Sequence, residues 1–220
     1  MGRSNRSAGF FSREEKERIA EAVREAESGT IGEIAVVVAD QSARYRDAEV
    51  LGGVLLGSLL SFAIAVAWFD AALRLFIPLA CLLFFPARLL FNRFPVMKMA
   101  FVAKRRRELA VRQGALSAFY RKGLHRTREG TGVLFYLSVL ERKVWVLADK
   151  GIHGKIHQNT WNRLAAMVSQ GAREGRGCDA LVGAVREAGV LLATHYPVQP
   201  GDVNELSNEV ICSPGADCEA

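Results

Sequence analysis

Cysteine is scarce in this chain, and what is missing around each one excludes whole classes of protein. Four cysteines in 220 residues, none in CxxC spacing, provide neither a disulfide framework nor a zinc knuckle. Cys81 lies inside an apolar stretch and Cys178, Cys212 and Cys218 are scattered, the pattern of free thiols in a reducing compartment. There is no G-x-S-x-G elbow, no Walker loop and no H-E-x-x-H pair. Gly130-Thr131-Gly132 precedes a strand instead of following one, and Gly171 to Gly183 lacks dinucleotide spacing. His153 and His157 stand four apart without an accompanying glutamate, and Gly154 lies between them. The first eleven residues, MGRSNRSAGFF, contain no apolar run of the kind a secretory signal needs.

Charge is absent from residues 50–69, twenty in a row. At about 1.5 Å per residue this run matches a hydrocarbon layer roughly 30 Å thick. A second apolar stretch, residues 71–91, follows at once. Arg74 and Arg88 bracket thirteen uncharged residues in it, interrupted by Pro78 and Pro86. Arginine stems can run along lipid and hold their guanidiniums at the interface, so this stretch is expected to span as well, with Asp70 marking a tight turn. A re-entrant second segment is the other arrangement open to it.

Acids are nearly missing from residues 93–128, where eleven Lys or Arg accompany a single Glu108. Basic flanks stay in the cytoplasm, so both flanking portions face inward at the cell (inner) membrane and the tip faces out. No aromatic interleaving accompanies the run Lys104, Arg105, Arg106, Arg107, so a topology signal beside anionic headgroups is favoured over nucleic acid. Residues 195–220 reverse the balance, with five acids and no Lys or Arg, and read as a partly ordered, solvated acidic tail.

What remains is a polar α/β pattern. Ser12 and Glu15 form a capping box, and Ile19, Ala22, Val23 and Ala26 make one apolar stripe of a helix closed by Gly29. Residues 31–40, IGEIAVVVAD, are too continuously apolar for a half-exposed strand and predict a central one. A helix over 104–121 follows, then strands over 131–139 and 143–148 as a hairpin. Two further helices carry Trp161, Leu164, Val168 and then Leu181, Val185, Leu192, the second capped by Asp179. Trp145 and Trp161 read as core. One strand with one helix cannot bury both faces, so the portion before residue 50 must share a sheet with the portion after 130, and the apolar hairpin is an insertion. Four segments follow: 1–49, the first part of the domain; 50–91, the hairpin; 92–200, its second part; 201–220, the tail.

With that layout in place, FFSREEKERIAEAVREAESGTIGEIAVVVAD, TGVLFYLSVLERKVWVLADKGIHGKI and ALVGAVREAGVLLATHYPVQPGDVNEL resemble the TPM domain family, including its bacterial membrane-anchored members. Gly32-Glu33-Ile34 and the hairpin from Leu137-Ser138 through Glu141-Arg142-Lys143-Val144 to Gly151-Ile152 carry the likeness most clearly. The resemblance implies an α/β/α sandwich with a Rossmann-like layer, here interrupted by a two-helix transmembrane hairpin. For some members it also implies phosphatase activity or calcium binding, although the aspartate-rich loops of calcium-binding members are missing from this chain.

A right-handed crossover makes the first two strands parallel, and the tight hairpin makes the third antiparallel. Ligands of open α/β sheets bind beyond the carboxyl ends of parallel strands, which is where Asp40, Glu141 and Arg142 fall, with Glu33 and Asp149 at the opposite edge. Asp40 and Glu141 could hold a divalent cation, Ca2+ or Mg2+, through oxygen, and Arg142 could fix an anion. The stronger reading is that Asp at a strand end and Glu-Arg at a hairpin tip are ordinary solvated turn residues. The expected function is a membrane-anchored, cytoplasm-facing binding or accessory module that takes a protein or lipid partner at the inner leaflet. The alternative is a metal-dependent, phosphatase-like hydrolase. A channel or carrier is disfavoured, since the two spans hold almost no polar side chains. Gly53 and Gly57 form a G-x-x-x-G pair through which the first span could pair with a second copy.

Overall fold

The computed structural model describes residues 7–68, 73–127, 129–199 and 207–213. The expected turn at Asp70 lies outside the described residues. Two compact units emerge, Arg44–Arg107 and the remainder of the chain.

The larger unit opens with α1, Arg13–Glu27, whose capping box forms as expected: Glu15 N–H donates to Ser12 Oγ at 3.1 Å and Ser12 N–H to Glu15 Oε2 at 2.8 Å. The helix ends at a Ser28 cap, one residue before Gly29. Strand β1, Glu33–Ala39, is buried at every position, as a central strand must be.

The smaller unit contains α2, Arg46–Trp68, and α3, Leu73–Arg93, followed by the short α4, Pro95–Lys98. Helix α3 runs through Pro78 and Pro86 without a break. Residues Arg46–Ala67 and Phe76–Arg93 are long and apolar enough to cross a membrane. The glycines of α2 admit α3: a Cβ at Gly57 would stand 3.1 Å from the Phe84 backbone nitrogen, and one at Gly53 3.2 Å from Arg88 Cβ. The G-x-x-x-G face is thus occupied inside the chain, and pairing through it with another copy would have to displace α3. Ser61 Oγ donates to the Phe76 carbonyl at 2.8 Å, and the near-buried pair Lys98–Glu49 closes at 2.5 Å.

Helix α5, Lys104–Arg121, leads back into the larger unit and a 3-10 turn at Leu124–Arg126. Then come β2, Gly132–Ser138, and β3, Lys143–Ala148. The short α6, Lys150–His153, precedes α7, Gln158–Arg173, and α8, Gly177–His195. His153 ends α6 while His157 precedes α7, so the two imidazoles share no helix face. Asp179 is not the cap of α8: that position is Arg176, and Asp179 lies in the first turn, paired to Arg18 at 2.6 Å. Its carboxylate still complements the positive helix end.

The sheet order is β3-β2-β1-β4. Strands β1 and β2 are parallel, Ile34 opposite Val133, and β3 is antiparallel to β2, Tyr136 opposite Trp145, both as the sequence predicts. Strand β4, Ile211–Ser213, is a departure, because it adds a parallel edge to β1 from within the segment read as solvated tail. Three residues carry no period long enough to announce a strand.

Alternation along the sheet separates two cores. Ile34, Val36 and Val38 pack with Ile19, Trp161, Leu181 and Leu192, while Ala35, Val37 and Ala39 pack with Val111, Ala115 and Phe119 of α5. The result is a mixed α/β unit with helices on both faces of a four-stranded sheet.

Candidate functional site

The carboxyl edge of β1 brings Asp40 and the hairpin residues Glu141 and Arg142 to the same side of the sheet, as the topology requires. What they do there differs residue by residue. Glu141 is only 4% exposed, so it is no solvated turn residue. Its Oε1 accepts the Ser42 N–H at 3.0 Å and its Oε2 accepts the Ser138 hydroxyl. Ser42 Oγ in turn donates to Ser138 Oγ at 2.9 Å and lies 3.3 Å from the Tyr136 hydroxyl. A buried carboxylate is costly unless hydrogen-bonded, and here the bonds tie the segment after β1 to the end of β2. Burial, with the Glu141 charge adding to it, raises the Tyr136 hydroxyl above its ordinary value and keeps it a neutral donor or acceptor. Gly114 of α5 permits this approach, since a Cβ there would stand 2.6 Å from the Tyr136 hydroxyl oxygen.

Asp40 is also committed to the backbone. Its N–H donates to the Ser213 carbonyl at 3.0 Å, its carbonyl accepts Leu140 N–H at 3.0 Å, and its Oδ1 accepts Ser7 N–H. It joins the amino-terminal segment, β2 and β4. Arg142 alone matches the solvated-turn expectation: it is exposed and holds the left-handed φ of 51° that closes the four-residue loop.

These residues do not fit a divalent cation. Glu141 spends both oxygens on serine donors, and among the described residues no three His, Cys, Asp or Glu side chains converge. Apart from the Ser138–Glu141 bond, which spans three residues, the contacts of Ser7, Ser42, Tyr136 and Ser138 join residues 33 to 206 apart, and no local pattern marks them.

A cleft of about 260 Å³ opens beside the same hairpin, where β3 is the edge strand of the sheet among the described residues. Glu108 and Val111 of α5 line one wall and Asn162, Ala165, Ser169 and Arg173 of α7 the other, with Lys143, Val144 and Trp145 between them. Lys143 Nζ meets Glu108 Oε1 at 2.7 Å. Trp145, expected in the core, is half-buried here, whereas Trp161 is fully enclosed. Asp149 N–H donates to the Gly132 carbonyl, which fixes the bonded pairs of the ladder as Leu134 with Leu147, Tyr136 with Trp145 and Ser138 with Lys143. The backbone N–H and C=O of Val144 and Val146 therefore point out along the open edge.

An open mixed sheet with parallel central strands, an antiparallel edge and helices on both faces defines the class of α/β protein. Residues 98–190 match the TPM domain family model. The NMR structure of the BA42 protein from the psychrophilic bacterium Bizionia argentinensis is similar in fold, with a TM-score of 0.57 at 19% identity, covering 94% of this chain and 96% of that one. No curated protein matches.

Proposed function

We propose that this chain is a membrane-anchored binding or accessory module: α2 and α3 hold it in the bilayer, and the α/β unit, facing the cytoplasm at the inner leaflet, offers the open β3 edge to a membrane-protein partner. The observation that supports the anchor is the outer surface of α2 and α3, where Leu59 is 65% and Phe85 69% exposed. Large contiguous apolar surface of this kind needs lipid or protein to cover it. The partner surface is supported by the cleft and by the outward backbone groups of Val144 and Val146, which suit an added extended segment.

Alkaline carbonate should leave the chain in the membrane fraction, and protease added to the cytoplasmic face should cut on both sides of the hairpin. Release by carbonate, or flanks reached from opposite faces, defeats the anchor reading. Crosslinking in native membranes should capture a partner, and Val144→Pro, which removes an outward N–H without breaking a bond to β2, should reduce that capture. The hydrolase alternative is separated by p-nitrophenyl phosphate turnover with Mg2+ or Ca2+: metal-dependent turnover lost in Asp40→Asn would overturn the accessory reading.

A further inference from the structure

Helix α5 turns its two sides to different environments. Val111, Ala115 and Phe119 are buried against the sheet, while Leu109, Leu116 and Tyr120 remain 48%, 46% and 55% exposed. At about 100° per residue, Arg105, Leu109, Arg112, Leu116 and Tyr120 fall within an arc of roughly 80°, so they form one ridge along the outer face. The ridge alternates guanidiniums with apolar side chains. Lys122 and Arg126 are exposed just beyond its end. The sole acid of the helix, Glu108, is already paired with Lys143.

A solvated charged face has no need of two leucines and a tyrosine among its arginines, and a core-facing helix has no need of the arginines. The combination suits an interface with anionic headgroups outside and acyl chains beneath: arginines take the phosphates while Leu and Tyr enter the headgroup boundary. The same chain supplies two helices long and apolar enough to span, ending eleven residues before α5 begins. We infer that the outer ridge of α5 is a lipid-reading surface, in which Leu109, Leu116 and Tyr120 insert shallowly into an anionic leaflet and Arg105, Arg112 and Lys122 bind its phosphates. This rests on the membrane-anchor reading and adds to it a lipid class and a set of contacts.

Full-length protein carrying the photoreactive substitution Leu116→p-benzoylphenylalanine or Tyr120→p-benzoylphenylalanine is placed in nanodiscs of neutral phosphatidylcholine, or of phosphatidylcholine with 30% phosphatidylglycerol. Val190, 67% exposed on α8, a helix whose Leu181, Val185 and Leu192 pack on the other face of the sheet, serves as the control position. Lipid adducts at 116 and 120 should rise about fivefold in the anionic discs and fall back with Arg112→Gln combined with Lys122→Gln, as expected when basic side chains act near a charged surface. Adducts at 190 should not change. Equal labelling in both lipids, labelling at 116 and 120 no greater than at 190, or crosslinks to a second protein chain would each overturn the inference. Failure of the chain to remain in the discs at all would count against the anchor itself, a separately visible result.

Discussion

Glu27 makes the larger unit lose stability as pH rises toward neutrality. It ends α1, where its Oε1 accepts Ile34 N–H at 2.7 Å and its Oε2 accepts the Asn208 side-chain amide. It thereby links the first helix, the start of β1 and the segment leading to β4. Burial, opposed by the Ile34 hydrogen bond and reinforced by Glu33, pushes its carboxyl up from 4.5 to about 7. A carboxyl with a raised folded-state value holds its proton more tightly in the fold than in the unfolded chain. The associated stability is fully present below pH 4.5 and lost as pH climbs through 7. At about 1.4 kcal/mol per pH unit the ceiling is roughly 3 kcal/mol, and partial solvent access brings the expected loss to about 1–2 kcal/mol. For a domain of this size that is roughly 3–6 °C in Tm. Thermal unfolding in detergent micelles at pH 5 and pH 8 should show wild type and Glu27→Gln close together at pH 5 and the variant more stable by that margin at pH 8. Parallel pH profiles, or a variant that loses more stability at pH 8 than at pH 5, would show that Glu27 does not couple protonation to folding.

The same assay reads three further sites. Glu141→Ala should cost about 2–4 kcal/mol, because Ser42 N–H and the Ser138 hydroxyl lose their acceptor in a buried place, and Glu141→Gln should lose less. Gly114→Ala should destabilise by about 1–2 kcal/mol despite the better helix propensity of alanine, since its Cβ would press on Tyr136 from 2.6 Å. Ser12→Ala should remove about 1 kcal/mol through loss of the capping box, with faster amide exchange in the first turn of α1.

The hairpin glycines show how local pattern and packing divide the explanation. Spacing alone makes Gly53 and Gly57 a surface for close helix approach, and close approach is what they permit. Which helix approaches is a matter of chain connectivity: α3 is tethered to α2 and therefore present at high effective concentration. Glu141 is the opposite case. A Glu-Arg pair at a hairpin tip is indistinguishable in sequence from a wet turn, and the return of Ser42 from 99 residues away encloses the carboxylate together with the nearby Ser138.

Periodicity and the absence of charge were enough to determine the apolar hairpin, a central strand expected over 31–40 and formed over 33–39, the helix over 104–121 and the β2–β3 hairpin, because each depends on neighbours a few residues apart. Strand β4, the serine network around Glu141, the coupling of Glu27 to Asn208 and the cleft at β3 were settled by tertiary structure alone. Their energies come from burial and from hydrogen bonds between distant segments, and a linear pattern carries no record of which distant partner will remove a group from water.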